Sequence, residues 1–183
     1  AKKVQGRPGG NGGVTNGSFV GIGADRCAIG LDVENIFKIG VSVTNGMFGP
    51  FGTWKGSRAV LLRQSNTGNL SMSNCNFWAV PETLAQVDGG SLNMTACNIH
   101  EWAVGIKDAP CFIANGARLN VSNCIFNRGG YLGEFRGAAT SAIFTGNSAL
   151  GVLTAASSVG GRFMHASNFP PIVIPGTASN SQR

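Results

Sequence analysis

Three stretches of this chain share one nine-residue pattern, in which polar and apolar residues alternate before a bend residue, a cysteine and a closing apolar residue. They are Asn69–Phe77, Ser91–Ile99 and Arg118–Phe126. Alternation of this kind predicts a strand with one buried face. Because the cysteines stand at positions 75, 97 and 124, the unit returns after 22 and then 27 residues. Such a period is typical of a solenoid, in which each copy stacks on the next.

The bend residue of the pattern is Asn74 in the first copy and Asn123 in the third, while Ala96 takes this place in the second. Asparagine suits a tight bend because it tolerates left-handed backbone angles and its side chain can bond the backbone. Weaker copies extend the series in both directions, at positions 41–48, with Asn45 at the bend, and at 142–149 and 164–169. The series predicts about six or seven coils.

These repeats resemble the right-handed parallel β-helix of the pectin-lyase-like superfamily, over roughly residues 17–175. The resemblance implies a ladder of stacked bend asparagines that is interrupted at Ala96, and a column of inward small or cysteine residues. The residues concerned are Asn45, Asn74, Asn123, Cys75, Cys97 and Cys124. An antiparallel sandwich or jelly roll also has many short strands and Gly-rich turns, but it does not explain a motif that returns three times. The predicted fold class is all-β, a single right-handed parallel β-helix with an extended N-terminal arm.

The two ends differ in composition from the repeats. Residues 1–16 are Gly-rich and basic, with Lys2, Lys3 and Arg7, and are predicted to form an extended arm that docks on an acidic surface. Three charges without interleaved aromatic residues make nucleic acid an unlikely partner. Residues 17–175 form the predicted β-helix, closed by a proline-punctuated cap, and residues 176–183 form a polar tail.

The outer surface is expected to carry few charges, since only 12% of the residues are charged while 43% are hydrophobic. Neutral outer faces predict contact with other subunits, and a homotrimer is expected by analogy with viral β-helices. Trp54, Trp78 and Trp102 are candidates for a contact surface or for packing. There is no apolar run of membrane-spanning length and no visible signal peptide, so synthesis in a host cytoplasm is expected.

Candidate chemistry rests on the eight acidic residues. A glycosidase needs two carboxylates about 5–9.5 Å apart, and Glu82 with Glu101 is the best such pair on neighbouring coils. The polygalacturonase signatures, however, are absent. The five cysteines show no metal-binding spacing, so neither a metal nor a cofactor is predicted and the chain is expected not to be an enzyme.

Short β-helices that have low charge, an N-terminal arm and no secretory signal resemble bacteriophage virion proteins. The resemblance implies a capsid decoration (cement) or head-fibre protein, located in the virion and docked on a larger assembly such as a major capsid protein lattice. The alternative is a small polysaccharide-binding or polysaccharide-cleaving tailspike-like module that uses Glu82 and Glu101 or the tryptophans. A bacterial adhesin fragment is disfavoured by the missing signal.

Overall fold

A computed structural model describes residues 2–5, 14–50, 55–151, 154 and 161–173. The described residues form nineteen strands and no helix. The strands are β1 (Lys2–Gln5), β2 (Val14–Val20), β3 (Gly23–Asp25), β4 (Ile29–Glu34), β5 (Ile36–Thr44), β6 (Met47–Gly49), β7 (Arg58–Leu62), β8 (Asn69–Ser73), β9 (Asn76–Phe77), β10 (Thr83–Val87), β11 (Ser91–Thr95), β12 (Asn98–Glu101), β13 (Phe112–Asn115), β14 (Arg118–Ser122), β15 (Ile125–Arg128), β16 (Gly133–Arg136), β17 (Ser141–Thr145), β18 (Ser148–Ala149) and β19 (Arg162–Ala166).

The strands build three sheets in which every neighbouring pair is parallel. Sheet A has the order β1-β4-β7-β10-β13-β16, sheet B the order β2-β5-β8-β11-β14-β17-β19, and sheet C the order β3-β6-β9-β12-β15-β18. Each coil contributes one strand to each sheet, so β1–β3 form the first coil, β16–β18 form the sixth, and β19 begins another. The prediction of an all-β, parallel solenoid is therefore confirmed, with about six turns where six or seven were expected.

The core consists of inward side chains that stack on the same position of the next coil. Leu70 pairs with Leu92, which pairs with Leu119, and all three are fully buried. On sheet C the rings of Phe48 and Phe77 stack with their centroids 5.4 Å apart. Each such buried side chain contributes about 1.5–3 kcal/mol to the folded state. The alternation in the sequence thus marks which residues lie inside the column.

A left-handed residue follows each sheet B strand, and in the first six coils it separates that strand from the next strand of sheet C. The seven residues are Gly21, Asn45, Asn74, Ala96, Asn123, Gly146 and Ser167, with φ between 51° and 67°. Their N–H groups continue the ladder, because Asn74 donates to the carbonyl of Thr95 at 3.2 Å and Ala96 donates to that of Ser122 at 3.1 Å. Ala96, where the asparagine ladder was expected to be interrupted, adopts the same bend, so the backbone ladder runs through this coil.

The side chains of the bend asparagines lie at the surface of the column. Asn45, Asn74 and Asn123 are exposed, and what they supply is the left-handed backbone. A buried asparagine stands one position later in the sixth coil, in the place of the cysteines. Asn147 accepts a bond from the N–H of Cys124 at 2.9 Å and donates to the carbonyl of Val121 at 3.0 Å. It therefore joins two coils from inside the core.

The N-terminal residues begin inside the solenoid. Lys2–Gln5 form β1, which pairs with β4 so that Lys2 lies beside Leu31. Strand β2 starts at Val14, before the boundary at residue 17 that was predicted for the β-helix. Part of the segment assigned to the arm is therefore an edge strand of sheet A. Arg7, Trp54 and the polar tail at 176–183 lie outside the described residues.

Replacing Ala96 by glycine is expected to stabilise the protein. A left-handed conformation costs a non-glycine residue about 1–2 kcal/mol, and the greater freedom of glycine in the unfolded chain takes back only part of this gain. We expect Ala96→Gly to raise the free energy of unfolding by about 0.5–1 kcal/mol, measured by urea denaturation. Ala166, which is exposed in β19 and outside the left-handed set, is the control. Ala166→Gly should be destabilising, and equal losses in both variants would contradict the interpretation of the bend.

Candidate functional site: the outer faces of the column

The two carboxylates proposed as a catalytic pair are each held by an arginine. Glu82, just before β10, accepts a bond from the N–H of Gly56 at 2.6 Å and lies 3.0 Å from Nη1 of Arg58. Glu101, in β12, lies 3.1 Å from Nη2 of Arg128. Arg58 belongs to the third coil and Arg128 to the fifth, so the carboxylates of the fourth coil reach in opposite directions along the column. This arrangement differs from two carboxylates that face one sugar.

The outer face of sheet A carries most of the paired charges. The guanidinium of Arg63 binds Asp32 with two bonds of 2.8 and 2.9 Å. This hydrogen bonding, together with the carboxylate charge, raises the pKa of Arg63. On the same face Gln86 accepts a bond from Nε of Arg58 at 3.0 Å and donates to Asp88 at 2.8 Å. The face is therefore a network of ion pairs and amide bridges that runs between coils.

A groove of about 560 Å³ lies over this network. Its lining combines arginine, carboxylate and amide side chains with two aliphatic ones. The lining residues are Ile29, Glu34, Gly56, Arg58, Leu61, Arg63, Gln64, Ser65, Gln86 and Asp88. The volume lies within the range of small-molecule sites in proteins. Arg63 is bonded to Asp32 and Asp88 to Gln86, so both side chains are held in fixed positions.

The outer face of sheet B consists almost entirely of serine, threonine and asparagine from the second to the fifth coil. The outward residues there are Ser42, Thr44, Asn69, Ser71, Ser73, Ser91, Asn93, Thr95, Arg118, Asn120 and Ser122. Many of them bond each other across coils. Asn93 donates to Oδ1 of Asn69 at 2.7 Å, and Asn120 donates to Oδ1 of Asn93 at 2.7 Å. This face is a hydrogen-bonded array with two exposed charged residues in its strands, Lys38 and Arg118, both outside its centre.

The outer face of sheet C exposes large apolar side chains, and Asp25, Glu101 and Arg128 are its charged residues. Met47 is 59% exposed, Trp78 39%, Ile125 48% and Leu150 82%. Gly49 lies beneath the indole of Trp78, and a Cβ at this position would meet Nε1 at 2.5 Å. Only glycine therefore lets the ring lie flat on the preceding coil. The set is interrupted in the fourth coil, where Asn98 takes the place of Met47 and Ile125. Exposed large apolar side chains arranged along one face are typical of a protein contact surface.

The three tryptophans named from the sequence have different positions. Trp78 belongs to the exposed set of sheet C. Trp102 is 4% exposed and meets the ring of Phe126 edge-on, with centroids 6.1 Å apart, so it is a packing residue and not part of a contact surface. Gly129 makes room for it, because a Cβ there would lie 2.0 Å from the indole. Trp54 is outside the described residues.

The repeated cysteines lie in the core as free thiols. Sγ of Cys97 lies 3.5 Å from the carbonyl of Thr95 and 3.6 Å from that of Met72. Hydrogen bonding to the thiol of Cys124, together with burial, raises the pKa of Cys97 to about 12. Burial alone raises the pKa of Cys111 well above the ordinary value of 9.0. The thiols of Cys97 and Cys111 are therefore protonated at neutral pH, and a protonated thiol is a poor nucleophile and metal ligand.

Comparison with known proteins gives no relative. No protein-family model matches the chain, and no curated protein or solved structure matches it either. Within the part of the chain that the structure describes, no helix is long and apolar enough to cross a membrane. No group of three or more histidine, cysteine, aspartate or glutamate side chains among the described residues is arranged to hold a metal ion.

The sequence reasoning missed the apolar row of sheet C. Its signal was present, because Ile125 occupies a position where the other two strong copies have asparagine, at Asn76 and Asn98. An apolar residue out of phase with the inward set indicates an exposed contact residue. Met47 stands in the same column of a weaker copy.

Removing either candidate carboxylate is expected to change stability according to the burial of its ion pair. The side chains of Arg58 and Glu82 are 13% and 17% exposed, whereas that of Arg128 is 74% exposed. Glu82→Gln should lower the free energy of unfolding by about 2 kcal/mol. Glu101→Gln should lower it by less than about 1 kcal/mol. Urea unfolding of both variants measures these changes in the free energy of unfolding. Equal decreases in the two variants would contradict the expectation that the more buried ion pair contributes more to stability.

Proposed function

We propose that this chain is a non-enzymatic structural protein of the capsid-decoration or head-fibre type, which attaches as a homotrimer to a larger protein assembly in a virion. The observation that carries the proposal is the exposed apolar row of sheet C. Met47, Trp78, Ile125 and Leu150 lie on the second, third, fifth and sixth coils. At about 4.8 Å per coil, the row extends roughly 20 Å along the column. A row of this length suits contact with a protein surface.

The rigidity of the column supports a structural role. Its core side chains stack coil upon coil, and parallel backbone ladders run through all three sheets. A surface held in this way loses little conformational entropy when it binds. The candidate carboxylates Glu82 and Glu101 are engaged in separate ion pairs, which favours the structural role over the enzymatic one.

The attachment surface can be tested on particles. Virions are prepared from the virus that encodes this chain, with the gene for the chain deleted. Purified chain is then added, and its co-sedimentation with these virions is measured. The wild-type chain should bind in a fixed ratio to the lattice subunit. The double variant Trp78→Ser with Ile125→Ser should bind about tenfold more weakly or worse, since it removes two apolar anchors from the face.

Val104→Ser is the matched control for this experiment. Val104 is 56% exposed but lies in the loop after β12, away from the sheet C row, so its loss should leave binding unchanged. A second comparison, Lys2→Gln with Lys3→Gln, tests docking through the basic arm without deleting β1. Failure of the wild-type chain to sediment with the particles would overturn the virion role. Wild-type binding by the Trp78→Ser, Ile125→Ser variant would instead show that the contact lies outside sheet C.

The second candidate function is polysaccharide binding, as in a tailspike-like module, and the groove of sheet A favours it. Planar guanidinium, carboxylate and amide groups at Arg63, Asp88 and Gln86 stand around the apolar side chain of Leu61. Sugars present adjacent hydroxyl groups and an apolar ring face, and such a lining can meet both.

Calorimetric titration with a neutral and an acidic oligosaccharide, cellohexaose and hexagalacturonate, tests this second function. If the groove binds glycans, Arg63→Gln should weaken binding about tenfold, the loss expected from one charge-assisted hydrogen bond. Arg118→Gln, on the exposed face of sheet B, is the control and should bind as the wild type does. Absence of heat with both sugars would remove the groove as a glycan site.

A further inference from the structure

The outer face of sheet B is uncharged along its two central columns across four successive coils. These columns consist of Ser42, Thr44, Ser71, Ser73, Asn93, Thr95, Asn120 and Ser122. The chain as a whole carries a net charge of +6. A surface without charge is therefore a place where two copies can approach each other without repulsion between like charges.

The polar groups of this face are largely satisfied within it. Besides the amide chain from Asn120 through Asn93 to Asn69, the hydroxyls of Thr95 and Ser122 lie 3.1 Å apart, as do those of Thr44 and Ser73. Burying a polar group is costly when its hydrogen bonds to water are lost without replacement. Groups that already bond each other across coils lose fewer such bonds, and their side chains are already ordered.

The chemistry of the face is also complementary to itself. Hydroxyl and amide side chains each donate and accept hydrogen bonds, so a face made of them can bond an identical face. Identical subunits usually assemble with closed symmetry. In such an assembly a surface contacts either the same surface or a different surface of another copy. Sheet A differs, because its outer face carries the charged groups of Asp32, Arg63 and Asp88, and a contact there would have to remove them from water.

We infer that sheet B is the surface through which copies of this chain meet, while sheet C faces the larger assembly. The inference rests on the homo-oligomer of the proposed function and assigns it a surface. The occupant is a second copy of the chain, packed with its column alongside the first. The four coils from β5 to β14 would form the centre of the contact.

Charge substitution at Thr95 tests this surface. Thr95 is exposed at the end of β11, near the middle of the face. Light scattering after size exclusion should give the wild-type chain a mass that is a multiple of 18.9 kDa. Thr95→Lys alone and Thr95→Glu alone should each give the monomer mass, because equal charges then meet in the contact. Mixing the two variants should restore the oligomer, because opposite charges then meet.

Asn76→Lys is the matched control, since Asn76 is exposed on sheet C, one coil away from the coil of Thr95. It should keep the wild-type mass, and circular dichroism should show the same strand signal in every variant. An oligomer that survives Thr95→Lys, or a mixture that stays monomeric, overturns the inference and leaves the particle-binding role standing. A wild-type chain that is monomeric overturns both the inference and the homotrimer, while sedimentation with virions still decides the attachment role.

Discussion

The structure depends on one recurrent constraint, the left-handed bend that follows each strand of sheet B. At this bend the chain passes from sheet B to sheet C. The N–H of the bend residue still donates a hydrogen bond to the next coil, as that of Asn74 does to the carbonyl of Thr95. Because the side-chain period of a strand is two, a slip of one residue at any bend would turn the core of that coil outward. The seven bends therefore hold the register of every coil against its neighbours.

The same register gives each outer face its own chemistry. Each position of one coil lies over the same position of the next coil. When that position carries the same type of residue in every coil, these residues therefore form a column. Leu70, Leu92 and Leu119 form such a column inside, and Asn93 with Asn120 forms one outside. A solenoid thus presents separate faces on one rigid body, which suits a protein that must meet two different surfaces at once.

The repeated motif was sufficient to predict the coils, because it reports both the inward alternation and the bend. It did not predict that Ala96 would keep the bend, since the ladder is carried by backbone groups that any residue possesses. It also could not show that Glu82 meets Arg58, 24 positions earlier in the chain. That contact depends on how the loops between strands fold, and the loops vary in length from coil to coil. The pairing of Lys2–Gln5 with β4 was missed for a related reason, since a polar strand at a sheet edge carries no alternation to reveal it.

The placement of charge explains why a fold with stacked carboxylates need not be catalytic. Catalysis between coils requires carboxylates that converge on one substrate while keeping their own protonation states. Here arginines stand between the coils, at Arg63 with Asp32 and at Arg58 with Glu82, and each pair links one coil to the next. Ion pairs of this kind strengthen the stacking that the bends establish. Charge at these two pairs therefore serves cohesion between coils.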